Sequence, residues 1–220
     1  MTGSTSICSG RRSPLCVVWT PLLLTIGCGR TGDPPCAAPL SLVDGACVEL
    51  EAVRVFMPFL AGTSARISQG SGTGFTHQGR ECYAVDFAVP EGTEVAAVKD
   101  GRVTEVKDDS DTACLAPECT AFANDVTIDH QDGTSARYLH LMQHGALVAV
   151  AQWVCHGQRV GLSGNTGRTT GPHLHLEVDD GDGQSLPLEL VELGGASLAS
   201  FVPWPIVTSQ NVPPAECLAP

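Results

Sequence analysis

The chain has 220 residues, and 43% of them are apolar, which is enough to bury a hydrophobic core without a partner. Its 12 Lys and Arg against 24 Asp and Glu give a formal net charge of −12, which argues against nucleic acid as a partner because a phosphate-binding surface needs the opposite sign. Ten Cys without a C-x-x-C pair indicate an oxidising compartment rather than a zinc knuckle or a dithiol redox motif.

The first predicted element is an export signal. Arg11 and Arg12 precede an apolar stretch, residues 15–26, which is shorter than the roughly 20 residues of a membrane-spanning helix but suits a signal peptide. The stretch ends in Leu-Thr-Ile-Gly-Cys, which resembles the lipobox of bacterial lipoproteins. We therefore expect residues 1–27 to be removed and Cys28 to be acylated, anchoring an exported protein in the cell envelope, facing the periplasm. The alternative is ordinary signal cleavage and secretion, with Cys28 in a disulfide.

The rest of the chain divides into a tether, one domain and a tail. Residues 28–52 lack a periodic apolar pattern and predict a tether or a small disulfide loop. Residues 53–200 alternate short apolar runs with turn residues and predict a single folded domain. The proline-rich residues 201–220 predict an extended tail that either wraps the domain or plugs its cleft.

The alternating runs of the domain predict β-strands. The 24 Gly and 15 Pro also favour short strands and frequent turns. Asp100-Gly101 and Asp132-Gly133 lie between runs and predict two β-hairpins, because glycine serves a turn that needs positive φ. Neither a long amphipathic helix nor βαβ alternation is evident, so the predicted fold class is all-β, a single antiparallel β-sheet domain. The predicted strands are 94–98, 102–106, 125–128, 135–141, 146–151 and 173–178.

The strand at residues 173–178 carries two histidines in an H-x-H pattern. Alternation places three aliphatic residues on one face and His173, His175 and Glu177 on the other. One imidazole can then bind a metal while its neighbour addresses a substrate. Glu177 can orient an imidazole on this face. Solvated histidines and a solvated carboxylate are the alternatives.

A second strand-like run, residues 82–88, contains a carboxylate among apolar residues. Val85 and Phe87 point to the core, and Asp86 points to the opposite face. A buried carboxylate needs a cation, a hydrogen-bond cluster or a metal, although an Asp that caps a turn remains the alternative. His77 lies nine residues earlier, after a Gly-rich loop.

His140 is a third candidate, and alternation places it on one strand face with Tyr138 and Ala136. The alternative is a histidine at the core edge, satisfied by a backbone carbonyl. His77, Asp86 and either histidine of the H-x-H pair make a possible zinc set. Three protein ligands leave a fourth position for water, which is the pattern of catalytic zinc.

These motifs, in this order and spacing, resemble the lysostaphin-type (LytM-like) zinc metallopeptidases over residues of about 56–178. The matching segments are TH (76–77), YAVDF (83–87), PEGTEV (90–95), DGRV (100–103), YLHL (138–141), GQRV (157–160), SGNTG (163–167) and GPHLH (171–175). The resemblance implies an antiparallel β fold with a central groove.

The resemblance also implies roles for five residues. His77, Asp86 and His175 correspond to the ligands of one zinc ion per domain, and His140 and His173 correspond to the catalytic histidines. The commonest first motif of the family has three residues between its His and Asp, whereas eight separate His77 and Asp86 here. The loop that carries His77 is therefore longer than usual.

The activity implied is that of a zinc metalloendopeptidase that hydrolyses peptide bonds in peptidoglycan stem peptides or cross-bridges, with a zinc-activated water assisted by the two catalytic histidines. Which histidine acts as the base and which stabilises the oxyanion stays open. One alternative is a non-catalytic LytM-like envelope module that binds or regulates other cell-wall hydrolases. Another is an envelope lipoprotein that binds zinc without turnover. The full set of ligands and histidines favours the enzyme.

The remaining cysteines and histidines have simpler interpretations. Cys114 and Cys119 flank a short loop and predict a disulfide, and Cys36 and Cys47 predict another in the tether. With Cys28 acylated, the exported chain keeps an odd number of other cysteines, which predicts one free or intermolecular thiol. Three histidines without a motif are expected at the surface, and these are His130, His144 and His156.

Overall fold

A computed structural model gives the structure of residues 40–43, 46–72, 76–194, 198 and 205–217. The predicted signal peptide, the acylation of Cys28 and the Cys36–Cys47 disulfide lie outside the described residues and side chains. In the described part every helix is a short 3₁₀ turn, and none has the length and apolar character needed to cross a membrane. The prediction of an all-β fold is confirmed.

Seventeen strands are described, several of them very short. In chain order they are β1 (Leu40–Val43), β2 (Ala46–Glu49), β3 (Val53–Val55), β4 (Ser64–Gln69), β5 (Val85–Ala88), β6 (Glu94–Ala96), β7 (Gly101–Lys107), β8 (Ala113–Cys114), β9 (Asp125–Asp129), β10 (Thr134–Leu139), β11 (Leu141–Ala146), β12 (Trp153–Val154), β13 (Arg159–Ser163), β14 (Gly167–Arg168), β15 (Leu174–Asp180), β16 (Leu188–Leu190) and β17 (Ile206–Thr208). The 3₁₀ turns are Gly79–Glu81, Pro117–Phe122, Val191–Leu193 and Ala215–Cys217.

An eight-stranded sheet forms the centre of the domain. Its strand order is β12-β7-β9-β10-β15-β5-β4-β17, and every neighbouring pair is antiparallel. A three-stranded antiparallel sheet has the order β11-β13-β6, and β1 pairs with β2. Two short parallel pairs, β16 with β3 and β14 with β8, add to the antiparallel fold that the sequence predicts.

One hydrophobic cluster joins residues of the eight-stranded and three-stranded sheets. Phe87 of β5, Tyr138 of β10 and Leu176 of β15 are completely buried in it, as are Val95 of β6 and Val160 of β13. Burial of such large side chains is the main source of folding free energy, at about 1.5–3 kcal/mol for each aliphatic or aromatic group. Because side chains alternate along a strand, the opposite face of β5, β10 and β15 remains available for polar groups.

Of the two predicted hairpins, one is confirmed and one is wrong. β9 and β10 pair across the Asp132-Gly133 turn, where Gly133 has a φ of 89°. Asp100-Gly101 does not join two paired strands, since β6 lies in the three-stranded sheet and β7 in the central one. Gly101 instead allows the backbones of β7 and β9 to approach closely, because a Cβ at this position would lie 2.5 Å from the carbonyl oxygen of Asp129.

The strand predicted at residues 146–151 is also wrong. β11 ends at Ala146, and the chain turns at Ala151, whose φ is 72°. The backbone N–H of Gln152 donates to the carbonyl of Ala149, which closes the turn. The apolar residues of this segment do not share one buried face. Val148 lies in the core and Ala146 packs against it, whereas Val150 is exposed.

The described C-terminal residues, 205–217, lie along the domain surface. β17 extends the central sheet by pairing with β4. The Asn211 side-chain amide donates to the carbonyls of Met57 and Ala97, at 3.0 and 2.8 Å. A disulfide between Cys155 and Cys217 fixes the end of this segment. These residues wrap the domain.

Tyr138 links the central sheet to the loop that precedes β7. Removing its hydroxyl tests how much this link contributes to stability. The backbone N–H of Val98 donates to the buried Tyr138 hydroxyl at 2.8 Å. We expect Tyr138→Phe to lower the free energy of unfolding by about 1–3 kcal/mol, because it leaves a buried N–H without an acceptor. Urea denaturation should show a lower midpoint with an unchanged slope. An unchanged midpoint would contradict a structural role for this bond.

Candidate metal centre and groove

The polar face of the central sheet carries a pair of facing side chains, Asp86 and His175. They lie opposite each other in the register of β5 and β15, so both side chains project from the same face. His175 Nδ1 donates to Asp86 Oδ1 at 2.9 Å, and both residues are buried. This pairing confirms that the polar residues of the two predicted strands share one face.

His77 reaches the same carboxylate from outside the sheet. It is fully buried just before the 3₁₀ turn Gly79–Glu81, and its Nε2 lies 3.1 Å from Asp86 Oδ1. Its Nδ1 lies 3.1 Å from the carbonyl oxygen of Gly70, which can only accept. The longer His-to-Asp spacing is thus accommodated by a turn, and it does not prevent the two side chains from meeting.

The donor atoms of His77, Asp86 and His175 all lie within 4.8 Å of one another and form a metal-binding group. A neutral imidazole has a single N–H. When His77 Nδ1–H donates to Gly70, the Nε2 lone pair faces an oxygen of the Asp86 carboxylate. Two such electron-pair donors, 3.1 Å apart, need a proton or a metal cation between them. Two imidazoles and one carboxylate are ligand types that zinc accepts, so the residues fit the ion that the motifs imply.

The predicted position of His140 on the strand face of Tyr138 and Ala136 is wrong. His140 interrupts the predicted strand between β10 and β11, with a φ of 65°, and its side chain reaches the groove whereas the other two lie in the core. Its Nδ1–H donates to the carbonyl of Thr166 at 2.6 Å, which leaves Nε2 as the acceptor nitrogen.

His173 lies beside His140, with ring centroids 4.5 Å apart. Its Nδ1–H donates to the carbonyl of Gly171 at 2.8 Å. Its Nε2 is 3.9 Å from Asp86 Oδ1, so this nitrogen faces the metal-binding group. All five residues predicted from the sequence therefore meet in one place, and backbone carbonyls set the orientation of three of the four imidazoles.

The surroundings of Asp86 and His175 favour positive charge, whereas those of His140 disfavour it. Burial raises the pKa of Asp86, but hydrogen bonds from His175 and His77 outweigh it and hold that pKa well below its ordinary value. Burial lowers the pKa of His175, but the hydrogen bond to Asp86 and the charges of Asp86 and Glu177 raise it to about 10. Burial, together with the nearby charges of His173 and His175, lowers the pKa of His140 to about 3. His140 is therefore neutral, with its Nε2 unprotonated.

Charged groups behind His175 hold it in place. The sequence predicted one of them, Glu177, but not Arg137. Glu177 is buried, which contradicts the solvated alternative, and its Oε2 lies 4.0 Å from His175 Nε2. Arg137 donates to Glu177 at 2.8 Å and to Asp125 at 3.0 Å. The sequence signal for Arg137 was weak, because only the β10–β15 register places it opposite Glu177.

Replacing Glu177 by glutamine tests this support. We expect Glu177→Gln to weaken zinc binding by about 10-fold to 100-fold, because the variant keeps the shape but loses the charge that faces His175. The measurement is competition against a chromophoric zinc chelator. Glu189→Gln, at a half-buried position on β16, serves as the control and should bind as the wild type does. Equal affinity of Glu177→Gln and wild type would show that Glu177 has no part in metal binding.

Asp86 and His175 of the metal-binding group line an open groove of about 520 Å³. Leu115, Thr120 and Arg168 line it beside the histidines, and Leu115 is 66% exposed. The predicted disulfide between Cys114 and Cys119 is confirmed and closes the loop that carries Leu115. The predicted central groove is present.

The three histidines without a motif differ in their surroundings. His144 is exposed, as expected for a surface residue. His156 is half-buried and its Nδ1 lies 2.9 Å from Asp100 Oδ1. His130 is only 7% exposed, so the surface prediction is wrong for it. Its position after β9 gave no sequence signal for burial, since the loops that cover it are distant in sequence.

Comparisons with known proteins agree with the motifs. Residues 80–187 match the family model described as Peptidase family M23. Peptidoglycan DD-endopeptidase ShyA of Vibrio cholerae is 44% identical over 93 residues, which are 42% of this chain and 19% of ShyA. DD-carboxypeptidase/endopeptidase Mpg of Neisseria meningitidis is 34% identical over 130 residues, 57% of this chain and 27% of Mpg.

Among solved structures, a zinc containing peptidase from Vibrio cholerae is 32% identical with a TM-score of 0.45, covering 60% of this chain and 39% of that one. The match covers only about a quarter or less of the length of the curated relatives, ShyA and Mpg. The family match covers Asp86, His140, His173 and His175, and His77 lies three residues before it. Residues 80–187, about half of the chain, therefore belong to Peptidase family M23, the lysostaphin-like family that the motifs predict.

Proposed function

We propose that the protein is a zinc-dependent peptidase that hydrolyses peptide bonds in the stem peptides or cross-bridges of bacterial peptidoglycan. The observation that carries this proposal is the convergence of three metal-donor atoms and two further imidazoles beside an open groove, which Asp86, His140, His173 and His175 line. The relatives are a peptidoglycan DD-endopeptidase and a DD-carboxypeptidase/endopeptidase, and this similarity supports the choice of substrate.

In this proposal His77, Asp86 and His175 hold one zinc ion. The chemistry that such a cation supplies is Lewis acidity, which polarises a carbonyl oxygen and makes water more acidic. Asp86 contributes the negative charge, and its neighbours hold it ionised. The carbonyl of Gly70 keeps the Nδ1 proton on His77 and so directs Nε2 to the site. The long loop before Asp86 thus has a defined role in orienting a ligand.

His140 and His173 act on protons in this proposal. Each imidazole has its Nδ1–H held by a backbone carbonyl, so each presents Nε2 to the groove as a proton acceptor. One removes the proton of the attacking water at Nε2, and the other, once protonated at Nε2, stabilises the oxyanion or gives its proton to the leaving amine. Positioned acid–base groups of this kind typically contribute about 10²-fold to 10⁴-fold to the rate.

The groove offers an extended peptide both apolar and charged contacts. Exposed Leu115 can cover an aliphatic side chain, and Arg168 adds positive charge at the wall, with its Nε–H bound to the Leu115 carbonyl at 3.2 Å. Stem peptides contain both alkyl side chains and carboxylates, which suits this lining. The parallel pairing of β14 with β8 joins Arg168 to the disulfide-closed loop.

The experiment combines zinc content with digestion. Purified protein should contain about one zinc per chain by mass spectrometry. It should release peptide fragments from at least one of several peptidoglycans that differ in their cross-bridges. Zinc binding without any fragment release would favour the alternative, an envelope module that binds or regulates other hydrolases. Endopeptidase and carboxypeptidase action are distinguished by the mass of the fragments.

We also propose that the protein is anchored in the cell envelope through acylated Cys28. The lipobox-like sequence before Cys28 and the peptidoglycan substrate support this location. In the cell, Cys28→Ser should abolish incorporation of labelled palmitate and move the protein from the membrane fraction to the soluble fraction. Cys36→Ser is the control and should keep the label. Unchanged labelling of Cys28→Ser would contradict lipidation and favour secretion.

A further inference from the structure

A second cavity, of about 510 Å³, lies away from the metal-binding group. His130 lines it and directly follows β9, whereas Asp125 at the other end of β9 pairs with Leu139, next to His140. At about 3.3 Å per residue, the five steps from Asp125 to His130 span roughly 17 Å. The cavity and the groove therefore occupy opposite ends of the central sheet.

Aromatic rings form much of the cavity wall. Phe56 and His156 stack with centroids 4.7 Å apart and planes inclined by 7°. Asp100 fixes the imidazole, because one of its carboxylate oxygens accepts from the backbone N–H of His156 at 2.7 Å and lies 2.9 Å from Nδ1. Trp153 also lines the cavity and is 46% exposed. Ring faces carry partial negative charge and attract the C–H groups of a flat ligand.

His130 adds an unsatisfied acceptor to the wall. Its Nδ1–H donates to the Asp100 carbonyl at 2.8 Å, which leaves Nε2 as the acceptor of a neutral ring. Nε2 is buried and has no hydrogen-bond partner among the described residues. Burial lowers the pKa of His130, which keeps the ring neutral. A ligand hydroxyl or amide N–H would supply the missing donor.

Two cations complete the lining, in a chain whose net charge is −12. Arg54 is exposed, and within the described residues no ion pair involves it. Lys99 is bound to Asp132 at the cavity edge. A guanidinium beside aromatic rings suits a carboxylate, which it can bind through two parallel hydrogen bonds.

We propose that this cavity binds a carboxylate-bearing saccharide of the peptidoglycan glycan strand. One such sugar unit combines the features that the wall selects, namely a face of C–H groups for the rings, hydroxyl and amide donors for His130, and an anion for Arg54. Because the sugar carboxylate is free only where the stem peptide has been removed, the protein holds a peptide-free stretch of the polymer at one end of its sheet and cleaves peptides of neighbouring units at the other. The inference rests on the proposed function for the identity of the polymer.

Calorimetric titration with a peptide-free wall oligosaccharide, in which every second sugar carries a free carboxylate, tests the proposal. Arg54→Gln and Trp153→Ala should each weaken binding by about tenfold or more, because exposed Arg and Trp commonly dominate such contacts. Arg66→Gln and Ile206→Ala change exposed residues on the two strands at the opposite side of the sheet and should bind like the wild type. A neutral oligomer of N-acetylglucosamine should bind more weakly, without further loss in Arg54→Gln.

Activity measurements separate this proposal from the proposed function. Arg54→Gln and Trp153→Ala should hydrolyse a short soluble stem peptide as the wild type does, but release less peptide from intact peptidoglycan. Asp86→Asn should still bind the oligosaccharide. Binding without any hydrolysis would reject the peptidase and leave the saccharide site standing. The proposal is overturned if wild type fails to bind the peptide-free oligosaccharide, if both variants bind it normally, or if the cavity binds the free stem peptide instead.

Discussion

Asp86→Asn is expected to lower zinc affinity by more than about 100-fold, since loss of outer-shell partners alone costs 10-fold to 100-fold. Hydrolysis of peptidoglycan should fall to background. The reason is electrostatic, because the Asp86 carboxylate is the only anionic member of the metal-binding group and both His77 and His175 contact its Oδ1. Asparagine keeps the size of the side chain but removes the charge that favours a cation. Zinc content by mass spectrometry and chelator competition measure the effect.

The control for Asp86→Asn is Asp111→Asn, which removes the same charge at an exposed position in the loop before β8. It should keep full zinc and full activity. Circular dichroism of both variants checks that the fold is retained. If Asp86→Asn keeps stoichiometric zinc and normal hydrolysis, the metal-binding group is not the active centre, and the peptidase proposal fails with it.

His140→Asn is expected to keep its zinc but to reduce kcat by about 100-fold to 10,000-fold, the range for loss of a positioned acid–base group. His140 lies in the groove with Nδ1–H donated to the Thr166 carbonyl, so it presents Nε2 to the groove without being part of the metal-binding group. Asparagine suits this test because it tolerates the positive φ of 65° at this position better than alanine does. Steady-state kinetics on a soluble peptide measure the loss.

His144→Asn is the matched control for His140→Asn, since His144 also has positive φ, at 56°, but is exposed. Its kinetics should be unchanged. His173→Ala should resemble His140→Asn, with zinc retained and kcat reduced. Loss of zinc from His140→Asn but not from His175→Ala would reverse the assignment of ligand and catalytic roles.

Local patterns predicted much of the fold. Alternation identified β9, β10 and β15 because apolar and polar side chains alternate along each of them, so the period of two is visible in the sequence. The same rule failed at residues 146–151, where apolar residues alternate but the chain turns. It failed again at His140, where a single residue of positive φ ends one strand and begins another, a change that periodicity does not register.

The residues of the candidate site were predicted nearly in full, from motif order for all five and from strand alternation for some of them. Motif order pointed to all five residues, and the strand pattern independently placed Asp86 and His175 on polar faces. His77 fitted the family motif least well, because eight residues separate it from Asp86. The structure shows that the 3₁₀ turn Gly79–Glu81 lies between them and lets His77 reach the Asp86 carboxylate. Arg137 was missed because its role depends on strands that are distant in sequence.

The sequence by itself determined that this chain is an all-β protein with a His-Asp-His set and two further histidines, since periodicity and motif spacing are local properties. The tertiary structure alone decided which nitrogen of His77, His140 and His173 points to the site, because that choice depends on the carbonyls of Gly70, Thr166 and Gly171. It also decided that His130, which carries no motif, is buried in the wall of a second cavity. Contacts between distant segments set both features, and no local pattern encodes them.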